Sequence, residues 1–476
     1  MAATRQLQPG ADRYFGPGRD RARVARKLFE SVVALPLVCP HTHVDANMFS
    51  VSNYSFGTPA ALFIVPDHYV YRMLYSQGVP MQELGVPERT EGTESGRRDD
   101  RRIWQTFAEQ FHLFRGTPTG QWIGYALREV FGVEEKLNGH SAQQIYDHIS
   151  AALMRPEFQP RALYEKFNIE VLCTTDAATD SLEHHAAIAA SDWGQAVRPT
   201  FRPDSVVNLE TPGWREHVAR LSAATGIDIV GYESLILALE DRRTFFRQLG
   251  ATATDHACAT AFTAELSMAD AEAIVRRALK NELETDDATR FTGHMLIEMA
   301  RMSREDGLVM QLHVGALRDH NSLVFDRFGR DKGADIPIAG EYTRNLRPLL
   351  NKHGNDPRLT LVLFTLDEST HGRELAPLAG HYPALKLGAP WWFFDSAGGV
   401  YRYLDCVVGI AGLYNTAGFN DDARTFCSIP ARHDMWRRVT ANWLAGLVLT
   451  DQAEWDEAVE MMRDMAYGLA KATYRL

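Results

Sequence analysis

Short apolar runs that end in polar residues recur along the chain, separated by stretches in which apolar residues return every three or four positions. This alternation predicts strands joined by helices, the pattern of a parallel α/β fold. Eight such runs stand out. The first, Leu37-Val38-Cys39-Pro40-His41, follows a segment whose Val24, Leu28 and Val32 fall at i, i+4 and i+8. The others cover 171–176, 197–202, 251–255 (the weakest), 308–313, 359–366, 385–392 and 415–421, with helical periodicity from there to the C-terminus. Eight parallel strands suit a closed (β/α)8 TIM-type barrel.

One stretch breaks the rhythm. Residues 65–166 contain no convincing strand and read as helices, with Trp104, Phe107, Phe111 and Phe114 on one apolar stripe and Ile145, Ile149 and Leu153 on another. The expected organisation is therefore a barrel formed by residues 1–64 and 167–476, with residues 65–166 as a helical insertion after strand one. Barrel active-site loops gather on the face where that insertion would emerge. Its charged, glycine-containing loop from Glu91 to Arg102 is expected to be exposed.

Composition narrows the function. Hydrophobic residues are 45% and charged residues 23%, as in an ordinary globular protein, and the net charge of -11 disfavours a general nucleic-acid or anionic-membrane surface. The five cysteines are scattered without a CxxC pair, which fits a reduced, cytoplasmic setting. No apolar core of a secretory signal precedes Arg26, and no apolar run approaches the roughly 20 residues of a membrane span. The oligomeric state is left open, a homo-oligomer included.

Candidate chemistry gathers at the strand ends. His41 and His43 lie two apart, so in a strand both imidazoles project to the same side and can share one metal. An isolated HxH more often hydrogen-bonds in a polar rim, but the pair ends an apolar strand, where barrels keep catalytic residues. Asp176, Asp255-His256, His313, Asp367, Asp395 and Asp421-Asp422 stand at or just past other strand ends. A catalytic divalent site takes about three protein groups, so some of these have other roles; Asp176 and Asp367 are expected as helix N-caps. Arg202, Arg318, Arg424 and Arg432 offer planar forks for a carboxylate-bearing substrate. The aromatic run from Trp391 and Trp392 to Phe394 would suit the floor of a sugar site, although such runs more often belong to the core.

Taken in order, these pieces resemble the uronate isomerase (glucuronate isomerase) family of the amidohydrolase superfamily. The resemblance spans nearly the whole chain: His41-Thr42-His43, Asp67-His68-Tyr69-Val70-Tyr71-Arg72, Thr174-Thr175-Asp176, Phe201-Arg202-Pro203-Asp204, Asp255-His256, Gln311-Leu312-His313-Val314-Gly315, Trp391-Trp392-Phe393, Asp422-Ala423-Arg424-Thr425-Phe426 and Arg432-His433. It implies aldose–ketose isomerisation of hexuronates, D-glucuronate to D-fructuronate and D-galacturonate to D-tagaturonate, through a cis-enediol. It also implies one divalent metal, zinc being the first expectation, held by His41, His43 and Asp422, with His313 close by. Asp422 is then expected as the base, Tyr69 and Arg424 as groups that steer the proton or stabilise the enediolate, and His68, Arg202, Arg318, Trp391, Trp392 and Arg432 as substrate-binding residues. Thr42, Asp45, Pro390 and Ala423 depart from the family pattern, and substrate preference stays open.

The rival reading within the superfamily is a mononuclear metal-dependent hydrolase or decarboxylase. Many hydrolases there bridge two metals with a carboxylated lysine on strand four, and the run 251–255 has no lysine. A barrel that only binds ligands is disfavoured by the intact set His41, His43, Tyr69, Asp422 and Arg424.

Overall fold

The computed structural model describes residues 10–89 and 98–476. Its strands are β1 (Leu37–Cys39), β2 (Ile169–Cys173), β3 (Asp176–Ala177), β4 (Val197–Arg198), β5 (Phe201–Arg202), β6 (Ala253–Cys258), β7 (Val309–Val314), β8 (Ala316–Leu317), β9 (Ile336–Pro337), β10 (Leu361–Thr365) and β11 (Leu385–Leu387). Two parallel sheets result, one ordered β1-β2-β4 and the other β11-β10-β7-β6-β5-β3. They meet along shared runs of chain, because β3 continues the run of β2 and β5 that of β4. Backbone bonds carry across both breaks, from Thr174 N to Arg198 O at 2.9 Å and from Asp176 N to Thr200 O at 3.0 Å. Pro199, which has no N–H to give, stands in the gap between β4 and β5.

Parallel strands need long crossovers, and helices supply them: Trp214–Thr225 and Tyr232–Gln248 before β6, Met268–Lys280 and Asp287–Asp306 before β7, and Ala397–Ala411 after β11. Every residue of β7 and β10 is buried, as expected for strands covered on both faces. The first helix, Arg19–Glu30, buries Val24 and Leu28 against the long helix Ile429–Leu449; Val32 lies just beyond it, also buried.

The eighth predicted run differs from expectation. Residues 415–421 form no strand; instead there are two isolated parallel bridges, Leu387 with Thr416 and Thr42 with Ala423. Asp422, in a left-handed conformation at φ 45°, bends the chain between them and the second bridge. An antiparallel pair, β8 with β9, was not anticipated; two residues per strand leave no periodicity to read. Asp176 and Asp367 cap no α-helix. Asp176 accepts from the Thr174 hydroxyl at 2.6 Å, and Asp367 accepts from the Gly340 N–H at 2.8 Å.

Between β1 and β2 lie helices that include His68–Tyr75, Asp100–Glu109, Pro118–Tyr125 and Ala142–Leu153. Trp104, Phe107 and Phe114 are buried there, Phe111 partly, together with Ile145, Ile149 and Leu153, in a cluster that also takes in Leu37 and Leu172. Of the charged loop expected at Glu91 to Arg102, residues 91–97 lie outside the described residues, and 100–102 already belong to a helix whose cap, Asp99, accepts from Arg102 N–H at 3.1 Å. Among the described residues no helix is long and apolar enough to cross a membrane.

Candidate active site

His41 and His43 follow β1 directly. The segment holding them is fixed by backbone bonds from Thr42 N to Cys173 O (2.8 Å) and from His43 N to Ala423 O (2.9 Å), so the last run of the chain delivers Asp422 to the two imidazoles. His41 Nε2 stands 3.4 Å and His43 Nε2 3.1 Å from the same oxygen, Asp422 Oδ1. That oxygen is buried and has no hydrogen-bond partner among the described residues. Two ring nitrogens and a carboxylate oxygen thus face one point, and all three ligand atoms lie within 4.8 Å of one another. The other carboxylate oxygen accepts from Trp391 Nε1–H at 2.8 Å.

Burial disfavours the Asp422 anion, but the two imidazoles outweigh it and hold the carboxyl well below the usual carboxylate range. Burial draws His43 down to about 4, leaving it neutral and able to act as a ligand at pH 7. The neighbouring pair divides its duties: Asp421 turns to the opposite side, where Oδ2 lies 3.3 Å from His433 Nε2 and Oδ1 accepts from Ala423 N–H at 3.1 Å. Cys39, Asp421 and His433 form a separate buried group.

His313 stands beside the centre, its ring 4.9 Å from that of His41. Its Nδ1 lies 2.6 Å from Asp255 Oδ1, Asp255 Oδ2 lies 3.2 Å from Arg202 Nη1, and His313 Nε2 is buried without a partner among the described residues. Phe364 stacks on the His313 ring at 4.2 Å and 11°. This Arg202–Asp255–His313 chain joins three strands and explains why an arginine and an aspartate sit inside: each buried charge has its counter-charge.

A cavity of about 490 Å³ opens above these groups, and His41, His43, His68, Tyr69, Arg202, His313, Arg318, Trp391, Trp392, Asp422 and Arg424 all line it. His68 and Tyr69 arrive on the first turn of the helix His68–Tyr75, whose cap Asp67 accepts from Tyr69 N–H at 2.8 Å. Burial, with Asp395 and Asp422 nearby, raises the Tyr69 phenol well above its ordinary range, so it stays a hydroxyl donor. Both His68 ring nitrogens are buried without partners among the described residues, and burial keeps the ring neutral. The Arg318 guanidinium lies 4.8 Å above the Trp392 ring.

Arg432 is the exception among the predicted residues. Its guanidinium pairs with Asp395 at 2.6 Å and lines a different cavity, of about 390 Å³, with Trp122 and Tyr125. Asp395, at the end of the turn that follows Trp392, is close enough to capture it. Sequence reasoning left Asp204 and Asp331 off the site although both line the catalytic cavity. The Gly329-Arg330-Asp331-Lys332-Gly333 pattern, an aspartate between two glycines, was the available signal for one of them.

Comparison with known proteins follows the same lines. The family model for glucuronate isomerase matches residues 20–474. A uronate isomerase of Nostoc punctiforme is 54% identical over 465 residues, 98% of each chain. The crystal structure of a glucuronate isomerase from Caulobacter crescentus superposes with a TM-score of 0.94 at 45% identity, covering 98% of this chain and 96% of that one. A uronate isomerase from Thermotoga maritima gives 0.90 at 30% identity, covering 98% and 100%.

Proposed function

Because the chain belongs to the glucuronate isomerase family, and is by that membership an aldose–ketose isomerase, we propose that it interconverts D-glucuronate with D-fructuronate and D-galacturonate with D-tagaturonate through a cis-enediol. The observation that carries this reading is the convergence of His41, His43 and Asp422 on one point within a cavity that also holds Tyr69 and Arg424. The hydrolase or decarboxylase rival is not favoured, because the relatives at 30% identity or more reported above are uronate or glucuronate isomerases.

The donor set suits a divalent ion: two imidazoles and an ionised carboxylate whose facing oxygen has no hydrogen-bond partner among the described residues. Nitrogen-plus-oxygen ligation admits zinc, manganese, iron or cobalt, and zinc is the choice proposed. Such an ion supplies Lewis acidity toward the substrate's oxygens. Asp422 is the proposed base for the C2 proton. A carboxylate held so far below its usual range is ionised but weakly basic, so the site must acidify the C2–H for it. Arg424 and the Tyr69 hydroxyl, both on the cavity wall, are the groups proposed to stabilise the enediolate oxygens, and Tyr69 is also assigned to help return the proton at C1. Arg318 and Arg202 are candidates for the substrate carboxylate, with Trp391, Trp392 and His68 bounding the sugar; Arg432, turned to Asp395, is assigned an outer supporting role.

Around this site we infer one closed eight-position ring. Support comes from the parallel neighbours β1, β2 with β3, β4 with β5, β6, β7, β10 and β11, followed by the bridges at Thr416 and Ala423, the latter returning to Thr42. Residues 65–166 are the proposed insertion at its mouth, since His68 and Tyr69 reach the cavity. Five free cysteines favour a cytoplasmic setting.

The test is a ketose assay on both uronates with bound metal quantified. Conversion of either uronate that is lost on chelation and restored by a divalent ion is expected; hydrolysis of a carboxylate amide or lactone without ketose formation would overturn the proposal.

A further inference from the structure

Between β8 and β9 the chain runs from Arg318 to Asp335, and part of this loop borders the catalytic cavity. Asp331 sits in it with a left-handed φ of 58°, between Gly329 at 82° and Gly333 at 79°. A left-handed non-glycine residue costs energy and persists only where its surroundings fix it. Here they do. Gly333 approaches the first turn of the helix His68–Tyr75 so closely that a Cβ would stand 2.6 Å from the His68 carbonyl oxygen and 3.0 Å from the Arg72 amide nitrogen. Downstream, the buried Asp335 accepts from Asp319 N–H at 2.8 Å and from Arg318 Nη1 at 2.9 Å. The loop is therefore clamped against the helix that carries His68 and Tyr69.

What the clamp presents is a carboxylate that accepts no hydrogen bond from the other described residues. The Asp331 side chain is 56% exposed and lines the cavity, and its Oδ1 stands 3.9 Å from Arg424 Nη2. That is too long for a hydrogen bond. Burial raises the Asp331 carboxyl, but Arg424, Arg318, His43 and Arg202 outweigh it and keep the group below its ordinary value, so it is ionised and can only accept. On a mobile loop the two charges would close to contact. A fixed loop holds them apart by a gap that suits a hydroxyl, which donates to the carboxylate and accepts from the guanidinium.

We propose that Asp331 is a specificity-determining residue for the isomerisation: its carboxylate accepts a hydrogen bond from a secondary hydroxyl of the hexuronate chain and, with Arg424, reads that carbon's configuration. This rests on the hexuronate reading of the site. The two proposed substrates differ only at C4, so a fixed acceptor on the cavity wall affects them unequally.

Two variants test it. Asparagine tolerates the left-handed backbone and glycine adopts it freely, so Asp331→Asn and Asp331→Gly remove the charge or the side chain while preserving the loop. Steady-state kinetics of the metal-loaded enzyme are measured on both uronates, and wild-type turnover separately checks the reading beneath. Loss of one charge-assisted hydrogen bond predicts a KM raised about tenfold for one uronate, kcat changed much less, and an epimer ratio of kcat/KM shifted by roughly fivefold or more. Unchanged kinetics, an equal loss for both uronates, or a loss confined to kcat would overturn the assignment.

Discussion

Asp422 meets its surroundings at both oxygens, one facing two imidazoles and the other held by the Trp391 indole at 2.8 Å. Asp422→Asn keeps the shape and the indole contact but replaces an anion with a neutral amide. A loss of about 10²–10⁴-fold in kcat is expected, with circular dichroism and melting temperature close to wild type. Activity within a few-fold of wild type would remove Asp422 from its role as base. At this scale the sequence was readable where chemistry is local. His41 and His43 suggest themselves by their spacing at the end of an apolar strand, whereas Tyr69 entered only through the family resemblance of Asp67-His68-Tyr69. The Asp255–His313 contact was not readable, because it joins residues 58 apart through a strand pairing whose register no local pattern reveals. Arg432 looked equivalent to Arg424 until its capture by Asp395 was visible.

At the scale of elements, apolar periodicity located the strands that are buried on both faces and the run that holds β4 and β5, and missed the antiparallel pair β8 and β9. The run 308–313 corresponds closely to β7, and 359–366 brackets β10, because six and five buried residues in succession leave a clear trace. The run 415–421 is less apolar, with Ala417 and Phe419 alone, and yields only a bridge at Thr416, with Gly418 at φ 75° interrupting the extended backbone. Packing between elements reaches the site just as directly. Gly388 extends the pairing of β11 with β10 through its N–H to Leu363 O at 3.0 Å, and a Cβ there would lie 2.2 Å from the Phe364 ring. That ring cannot yield freely because its far face stacks on His313. Gly388→Ala should therefore displace Phe364 and His313 together, costing about 1–3 kcal/mol of stability and at least roughly tenfold in kcat/KM, on the scale of a small misplacement of a positioned group. Full activity with unchanged stability would show that the layer has more slack than these distances allow.

Across the whole molecule, the three converging donors come from the first and last of the strand-like runs: His41 and His43 just after the first strand, Asp422 between the bridges at Thr416 and Ala423. A ligand that binds only the folded state adds its binding free energy to stability, about 2.7 kcal/mol at a hundredfold excess over Kd. Removing metal is thus expected to lower the melting temperature by about 3 °C for a chain of this size, with recovery on re-addition. His41→Ala should abolish that response. A melting temperature indifferent to metal in the wild type would argue that no ion joins the two ends.

The bridge between Thr42 and Ala423 also has a consequence for how the protein comes into being. Asp422 follows His41 by 381 positions (422 − 41). A ribosome therefore displays both imidazoles long before it makes the carboxylate that completes the set. No truncated product ending before Asp422 can assemble the centre, so a nascent chain cannot trap an ion at the full site prematurely. The proposed ion would therefore load only once translation has passed Asp422.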